Sequence, residues 1–135
     1  MAKYLLDTTV LIDYFYGSTA VIALVTSLTQ DDHRLGVCGI NVAEFYAGLT
    51  LPQRREADEF VDTLEFYPIT AQEAKLAGQF RHDFARRGTA INLADAVIAA
   101  VAVEEKATLI TDNLRHFPMP ELQVMPQPPR TREHL

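Results

Sequence analysis

A three-layer α/β/α domain with a mostly parallel sheet is the fold class that this 135-residue chain predicts. Three observations lead there. Expected strands and helices alternate almost throughout, which argues for parallel strands joined by helices that cover both faces of the sheet. The stretch 93–103 is apolar on every face apart from Asp95, so the helix it forms belongs in the interior. Two apolar strands, 4–6 and 108–111, run directly into aspartates, and ligands of an open parallel sheet bind outside such strand ends.

The elements follow in order. Strand 4–6 ends at Asp7, residues 10–15 read as a short helix, and Ser18 caps a second helix from 19 to about 28. A strand at 35–39 comes next. Asn41 reads as the N-cap of a helix over 42–49, and Pro52 opens another that runs to about 64, since proline suits a first helical turn. A short strand at 66–67 leads to Thr70-Ala71-Gln72-Glu73, a capping-box sequence that opens a long helix ending before Gly88. Asn92 caps the helix 93–105, which feeds the strand ending at Asp112. From Pro118 onward, prolines at 118, 120, 126, 128 and 129 limit regular structure and leave room for a last strand at 122–125. Residues 1–126 are expected to form one domain and 127–135 a flexible tail.

Composition narrows the class. Hydrophobic residues at 48% and charged residues at 22% are those of an ordinary globular domain, which at this size buries roughly two-thirds of the surface of its unfolded chain. The net charge of −6 opposes a polyanionic partner in bulk, yet a divalent cation in an acidic pocket reverses the sign that a phosphate meets locally. The single Cys38 has no partner for a disulfide or a zinc cluster and reads as a buried strand thiol. The N-terminus reaches Asp7 too soon for a signal-peptide core, and no apolar run approaches the ~20 residues of a membrane span, so a cytoplasmic protein is expected.

Four acids stand where strands end or helices begin: Asp7, Glu44, Asp95 and Asp112. Each has an ordinary structural reading. Asp7 can cap the helix at Val10, and Asp112 can cap the segment 113–117. Glu44 and Asp95 each lie three residues after an asparagine, where an acid reaches back to the cap or complements the helix dipole. Asp95 is the hardest to explain in that way, because an unpaired carboxylate on a buried helix is costly unless a cation or several donors compensate. Jointly the four would repel one another, and without metal some would take up protons. Mg²⁺ or Mn²⁺ suits hard carboxylate oxygens, whereas His33, His82, His116 and His134 are scattered and offer no rival ligand set.

Four segments carry a resemblance: Leu6-Asp7-Thr8-Thr9-Val10-Leu11-Ile12-Asp13, Asn41-Val42-Ala43-Glu44, Asn92-Leu93-Ala94-Asp95-Ala96-Val97-Ile98-Ala99-Ala100 and Thr108 to Phe117. In this order the chain resembles the PIN-domain ribonucleases, and within them the toxins of VapBC toxin–antitoxin pairs. The resemblance implies metal ligation by Asp7 and Asp95, with Glu44 completing the acidic cluster and Thr9 supporting it. A fourth position falls to Asp112 or Asn113. It further implies hydrolysis of RNA by metal-activated water, homodimers, and a VapB-type antitoxin laid across the groove, for which Tyr14, Phe15, Phe45, Tyr46 and Leu49 could form an apolar wall. Arg81, Arg86, Arg87 and Arg115, with Arg130 and Arg132 in the tail, are the candidates for drawing in RNA. A catalytically silent interaction module and a DNA nuclease remain the alternatives. A phospho-receiver domain is disfavoured because Lys106 precedes its strand, and a haloacid-dehalogenase-type phosphatase because Thr9 stands where a second aspartate is needed.

Overall fold

The first strand sits in the middle of the sheet. β1 (Lys3–Leu6) pairs with β2 (Arg34–Cys38) on one side and β4 (Ala107–Thr111) on the other, while β3 (Glu65–Tyr67) and β5 (Val124–Pro126) form the edges. The order is β3-β2-β1-β4-β5, and every pairing is parallel. The computed structural model describes residues 1–129.

Strand alternation sorts the core into two halves, because successive side chains of a strand point to opposite faces. Leu5, Cys38 and Leu109 join one buried cluster, against α5 (Ala71–Arg86) and α6 (Leu93–Glu105). Leu6, Val37 and Ile110 join the other, with α1 (Thr8–Phe15), α2 (Thr19–Gln30), α3 (Gly39–Ala47) and α4 (Leu51–Val61). As its all-round apolar sequence predicts, α6 is buried from Ala96 through Ala102. Among the described residues no single helix is long and apolar enough to cross a membrane. The Cys38 side chain is fully buried, and burial pushes its thiol pKa up, in keeping with an inert core thiol.

Three local readings need correction. α1 begins at Thr8, two residues earlier than expected, because Asp7 itself serves as its N-cap. α3 starts at Gly39, directly off the end of β2, with Cys38 as N-cap. Asn41 is therefore the third residue of the helix and not its cap; its Oδ1 reaches back to accept from the Cys38 backbone N–H at 3.3 Å. Glu44 consequently lies in the second turn, where the helix-start explanation of its charge no longer applies. The last strand is shifted to Val124–Pro126, and Pro126 is tolerated there because β5 is an edge.

The chain stays with the domain one step beyond β5. Gln127, assigned from sequence to the tail, is only 8% exposed, and its backbone N–H donates to the Thr111 carbonyl at 2.8 Å. The expected tail from 130 onward lies outside the described residues.

At β2 a close approach requires glycine. A Cβ at Gly36 would stand 2.3–2.9 Å from three ring atoms of Tyr67, which lies on β3 two residues beyond Glu65, the register partner of Gly36.

Candidate active site

Asp7 leaves β1 at the carboxyl edge of the sheet and is held from three directions. Its backbone N–H donates to the Ile110 carbonyl at 3.0 Å, continuing the β1–β4 ladder past the last paired residue. Its Oδ2 accepts from Thr111 Oγ1 at 2.7 Å, and its Oδ1 accepts from the Thr8 N–H at 2.8 Å. Asn41, fully buried on α3, brings Nδ2 to 3.5 Å from the same Oδ1. Burial pushes the Asp7 carboxyl above its ordinary pKa; the Thr111 and Thr8 bonds oppose this, and the charges of Asp95 and Glu44 add to it.

Asp95 stands in the first turn of α6. Its N–H donates to Oδ1 of the cap residue Asn92 at 2.8 Å, while Asn92 Nδ2 donates back to Asp95 Oδ2 at 3.0 Å. His116, in the 3₁₀ turn Leu114–His116, brings Nδ1 to 3.1 Å from that same oxygen. Burial again raises the carboxyl pKa, His116 and Asn92 lower it, and the charge of Glu44 raises it. Glu44 comes from α3 and is exposed; its Oε1 accepts from Thr8 Oγ1 at 2.6 Å. Asp7, Glu44 and Asp95 thus lie close enough for each pair to repel measurably.

No Lys or Arg forms an ion pair with any of the three among the described residues. Nor do three His, Cys, Asp or Glu side chains stand close enough together to grip an ion as placed. The donor set nevertheless fits a hard divalent cation. Three mutually repelling carboxylates supply oxygen ligands, and Glu44 Oε2 and Asp95 Oδ1 carry no protein donor among the described residues. A cation there would offset the burial, and with it the repulsion, that raise Asp7 and Asp95.

Residues 4–120 match the family model of the PIN domain. The chain is a PIN-domain protein. Ribonuclease VapC10 of Mycobacterium tuberculosis is 32% identical over 115 residues, which span 85% of this chain and 86% of that protein. Ribonuclease VapC19 of the same organism is 28% identical over 120 residues, 88% of this chain and 96% of that one. Among solved structures, a DNA-bound VapBC complex from Salmonella typhimurium matches with a TM-score of 0.81 at 25% identity, covering 94% of this chain and 99% of that one. Within the PIN family the chain therefore belongs with the VapC-type members.

In this PIN domain Asp112 and Asn113 diverge. Asp112 Oδ1 accepts from Thr9 Oγ1 at 2.9 Å and borders a cavity of about 510 Å³ that Asp13, Thr111 and Gln127 also line. Asn113 instead places Nδ2 3.1 Å from both ring nitrogens of His116, on the Asp95 side. All four arginines are exposed; Arg81 and Arg115 line a second cavity beside Asp95, whereas Arg86 and Arg87 do not, and the Arg87 guanidinium lies 5.1 Å from the Phe84 ring centroid. Arg130 and Arg132 fall outside the described residues. Phe45 and Leu49, at 2% and 6% exposure, pack in the core, so the exposed part of the expected apolar wall reduces to Tyr14, Phe15 and Tyr46.

Sequence reasoning missed the residues that hold the acids in place. Thr111, Thr8, Asn41 and His116 all bond the acids directly. A buried asparagine and a strand ending in threonine are weak signals when read singly. Gln127 is a further omission: its Nε2 donates to the buried Asp13 Oδ2 at 2.6 Å, and its Oε1 lies 3.0 Å from Thr9 Oγ1. It ties α1 to the end of β4. Gln127→Ala should lower stability by about 1–3 kcal/mol, because Asp13 loses a buried donor. Urea denaturation checks this, and an unchanged midpoint would show that water replaces the amide without loss.

Proposed function

We propose that this PIN domain is a metal-dependent endoribonuclease that cuts RNA as the toxin of a toxin–antitoxin pair. One observation carries the reading: three carboxylates from the end of β1, from α3 and from α6, distant in sequence, are brought to one edge of the sheet, where the part-buried Asp7 feels the charges of both Asp95 and Glu44. A structural role rewards dispersing such charges, whereas a catalytic cation rewards assembling them.

Asp7, Asp95 and Glu44 would hold Mg²⁺, for which Mn²⁺ substitutes. Such a cation offsets the charge that develops on a phosphodiester and lowers the pKa of water so that it can attack phosphorus. The chain's own groups do the positioning. Thr111 and Thr8 fix both oxygens of Asp7, Thr8 also orients Glu44, and Asn92 and His116 orient Asp95. Thr9 holds Asp112 at the rim, where Asp112 and not Asn113 would supply the fourth acid. No side chain needs to act as a covalent nucleophile.

The likeness to VapBC complexes supports a VapB-type antitoxin as partner. In this proposal the antitoxin lies over the face that carries Tyr14, Phe15 and Tyr46, and the toxin works as a homodimer in the cytoplasm. The experiment that tests the activity is cleavage of total cellular RNA by purified protein with Mn²⁺ or Mg²⁺, with EDTA and Asp95→Asn as controls. Discrete fragments that require both the metal and Asp95 are expected. Intact RNA from a preparation that is free of antitoxin and binds Mn²⁺ would overturn the reading, in favour of a DNA nuclease or a silent interaction module.

A further inference from the structure

The cavity beside Asp95 has a volume of about 300 Å³ and is lined by Arg81, Ile91, Asn92, Asp95, Arg115 and His116 among others. Neither arginine has a carboxylate partner among the described residues. Arg81 Nε donates to the Ile91 carbonyl at 3.0 Å, which anchors the guanidinium at the cavity wall and leaves its terminal nitrogens without a protein acceptor among the described residues. Arg115 lines the same cavity from a different element, the 3₁₀ turn that also carries His116. What sets these two arginines apart is their place: both line one cavity that also reaches Asp95, which Arg86 and Arg87 do not. The N-terminus of the 13-residue α6 borders the same space and adds partial positive charge.

We infer that this cavity is a phosphate subsite that holds the RNA backbone next to the scissile bond, with Arg81 and Arg115 as its two cationic walls. The inference rests on the ribonuclease reading for its ligand, but not for its charge arrangement. Guanidinium groups suit phosphate oxygens because their N–H donors lie in a fork that matches two acceptors. Asp95 opposes an anion at one wall, but its Oδ2 is turned to partners already, Asn92 Nδ2 at 3.0 Å and His116 Nδ1 at 3.1 Å. RNA would then be gripped asymmetrically, on the α5–α6 side of the acids, and the grip would set which phosphate reaches Asp7. Arg86 and Arg87, although adjacent in sequence to the end of the helix that carries Arg81, take no part.

The test is binding of a fluorescent single-stranded oligoribonucleotide to metal-free protein in EDTA, where nothing is cleaved, as a function of salt. Arg81→Gln/Arg115→Gln should weaken binding about tenfold or more near 0.1 M salt. It should also flatten the slope of log affinity against log salt by about 0.7, since the one phosphate left without its two arginines on a single strand removes about that much. Arg86→Gln/Arg87→Gln should change neither, and in the cleavage assay the first pair should raise KM with kcat nearly constant. Arg81→Lys/Arg115→Lys should keep the wild-type slope, which a merely misfolded variant would not do. Equal losses from both glutamine pairs, or an unchanged slope in the first, would overturn the subsite. Because the binding experiment contains no metal, its outcome is independent of whether the wild-type protein cuts RNA.

Discussion

Asp7→Asn should abolish RNA cleavage while leaving the protein at least as stable as wild type. Changes to groups that merely support a metal ligand already cost about 10–100-fold, so loss of the ligand charge itself should exceed that. Stability moves the other way. Asparagine is as good an N-cap as aspartate and keeps an oxygen for the Thr8 N–H or Thr111 Oγ1, while the repulsion from Asp95 and Glu44 disappears. The sign is visible in the pH dependence. Asp7 and Asp95 both hold protons more tightly folded than unfolded. Their contribution to stability is fully present below the ordinary value of 3.8, and it is lost as pH rises through the raised folded values. At neutral pH the metal-free wild type carries the whole cost, and Asp7→Asn removes one share of it. Thermal melts of both proteins in EDTA across that range check this; an Asp7→Asn variant that melts several degrees lower at pH 7 would make Asp7 a structural acid. Adding Mn²⁺ should raise the melting temperature of the wild type, by about 2.7 kcal/mol of linkage at a hundredfold excess over Kd, and that of the variant far less.

Gly36→Ala should be the most damaging single methyl in the molecule. The added Cβ would meet the side of the Tyr67 ring, which is 3% exposed and enclosed by the α5–α6 cluster, so the ring cannot swing out to solvent. Either β3 separates from β2 or the ring leaves its rotamer, and overpacking of this kind costs about 1–3 kcal/mol or more. Tyr67→Val in the same chain should recover part of the loss, a coupling that a double-mutant cycle in urea measures directly. Additive losses would mean that the strand shifts and the ring stays. Since β2 ends at Cys38, the N-cap of the helix that carries Asn41 and Glu44, a displaced strand should also lower activity at temperatures where the variant remains folded.

The sheet and its helices were legible because their signals are long or specific: alternation, a helix apolar on all sides, the capping box at Thr70 and the proline that opens the helix at Pro52. The misreadings are short-range. Asn41 stands three residues before an acid, as a cap would, and only the direct run from β2 into α3 shows that Cys38 holds the cap position. Asp7 ends a strand and caps a helix at once, so the two expected boundaries on either side of it collapse into one residue. The acids were found because charge at a strand end is unusual. Their partners were missed because Thr111, Asn41 and Gln127 matter only through contacts across 34 to 118 residues of sequence. Arg81 and Arg86 could not be separated either, since which arginine turns toward the acids depends on how α5 packs on α6.

The central place of β1 has a consequence for how this protein comes into being. Asp7 is made long before Thr111, which fixes its carboxylate and follows 104 residues later, and Gln127 comes later still. Until then the first strand lacks the neighbour on its β4 side, and the acids have no common frame. An unfinished chain therefore holds the acids without the contacts that fix Asp7, and the site is completed only when the last strands join the sheet.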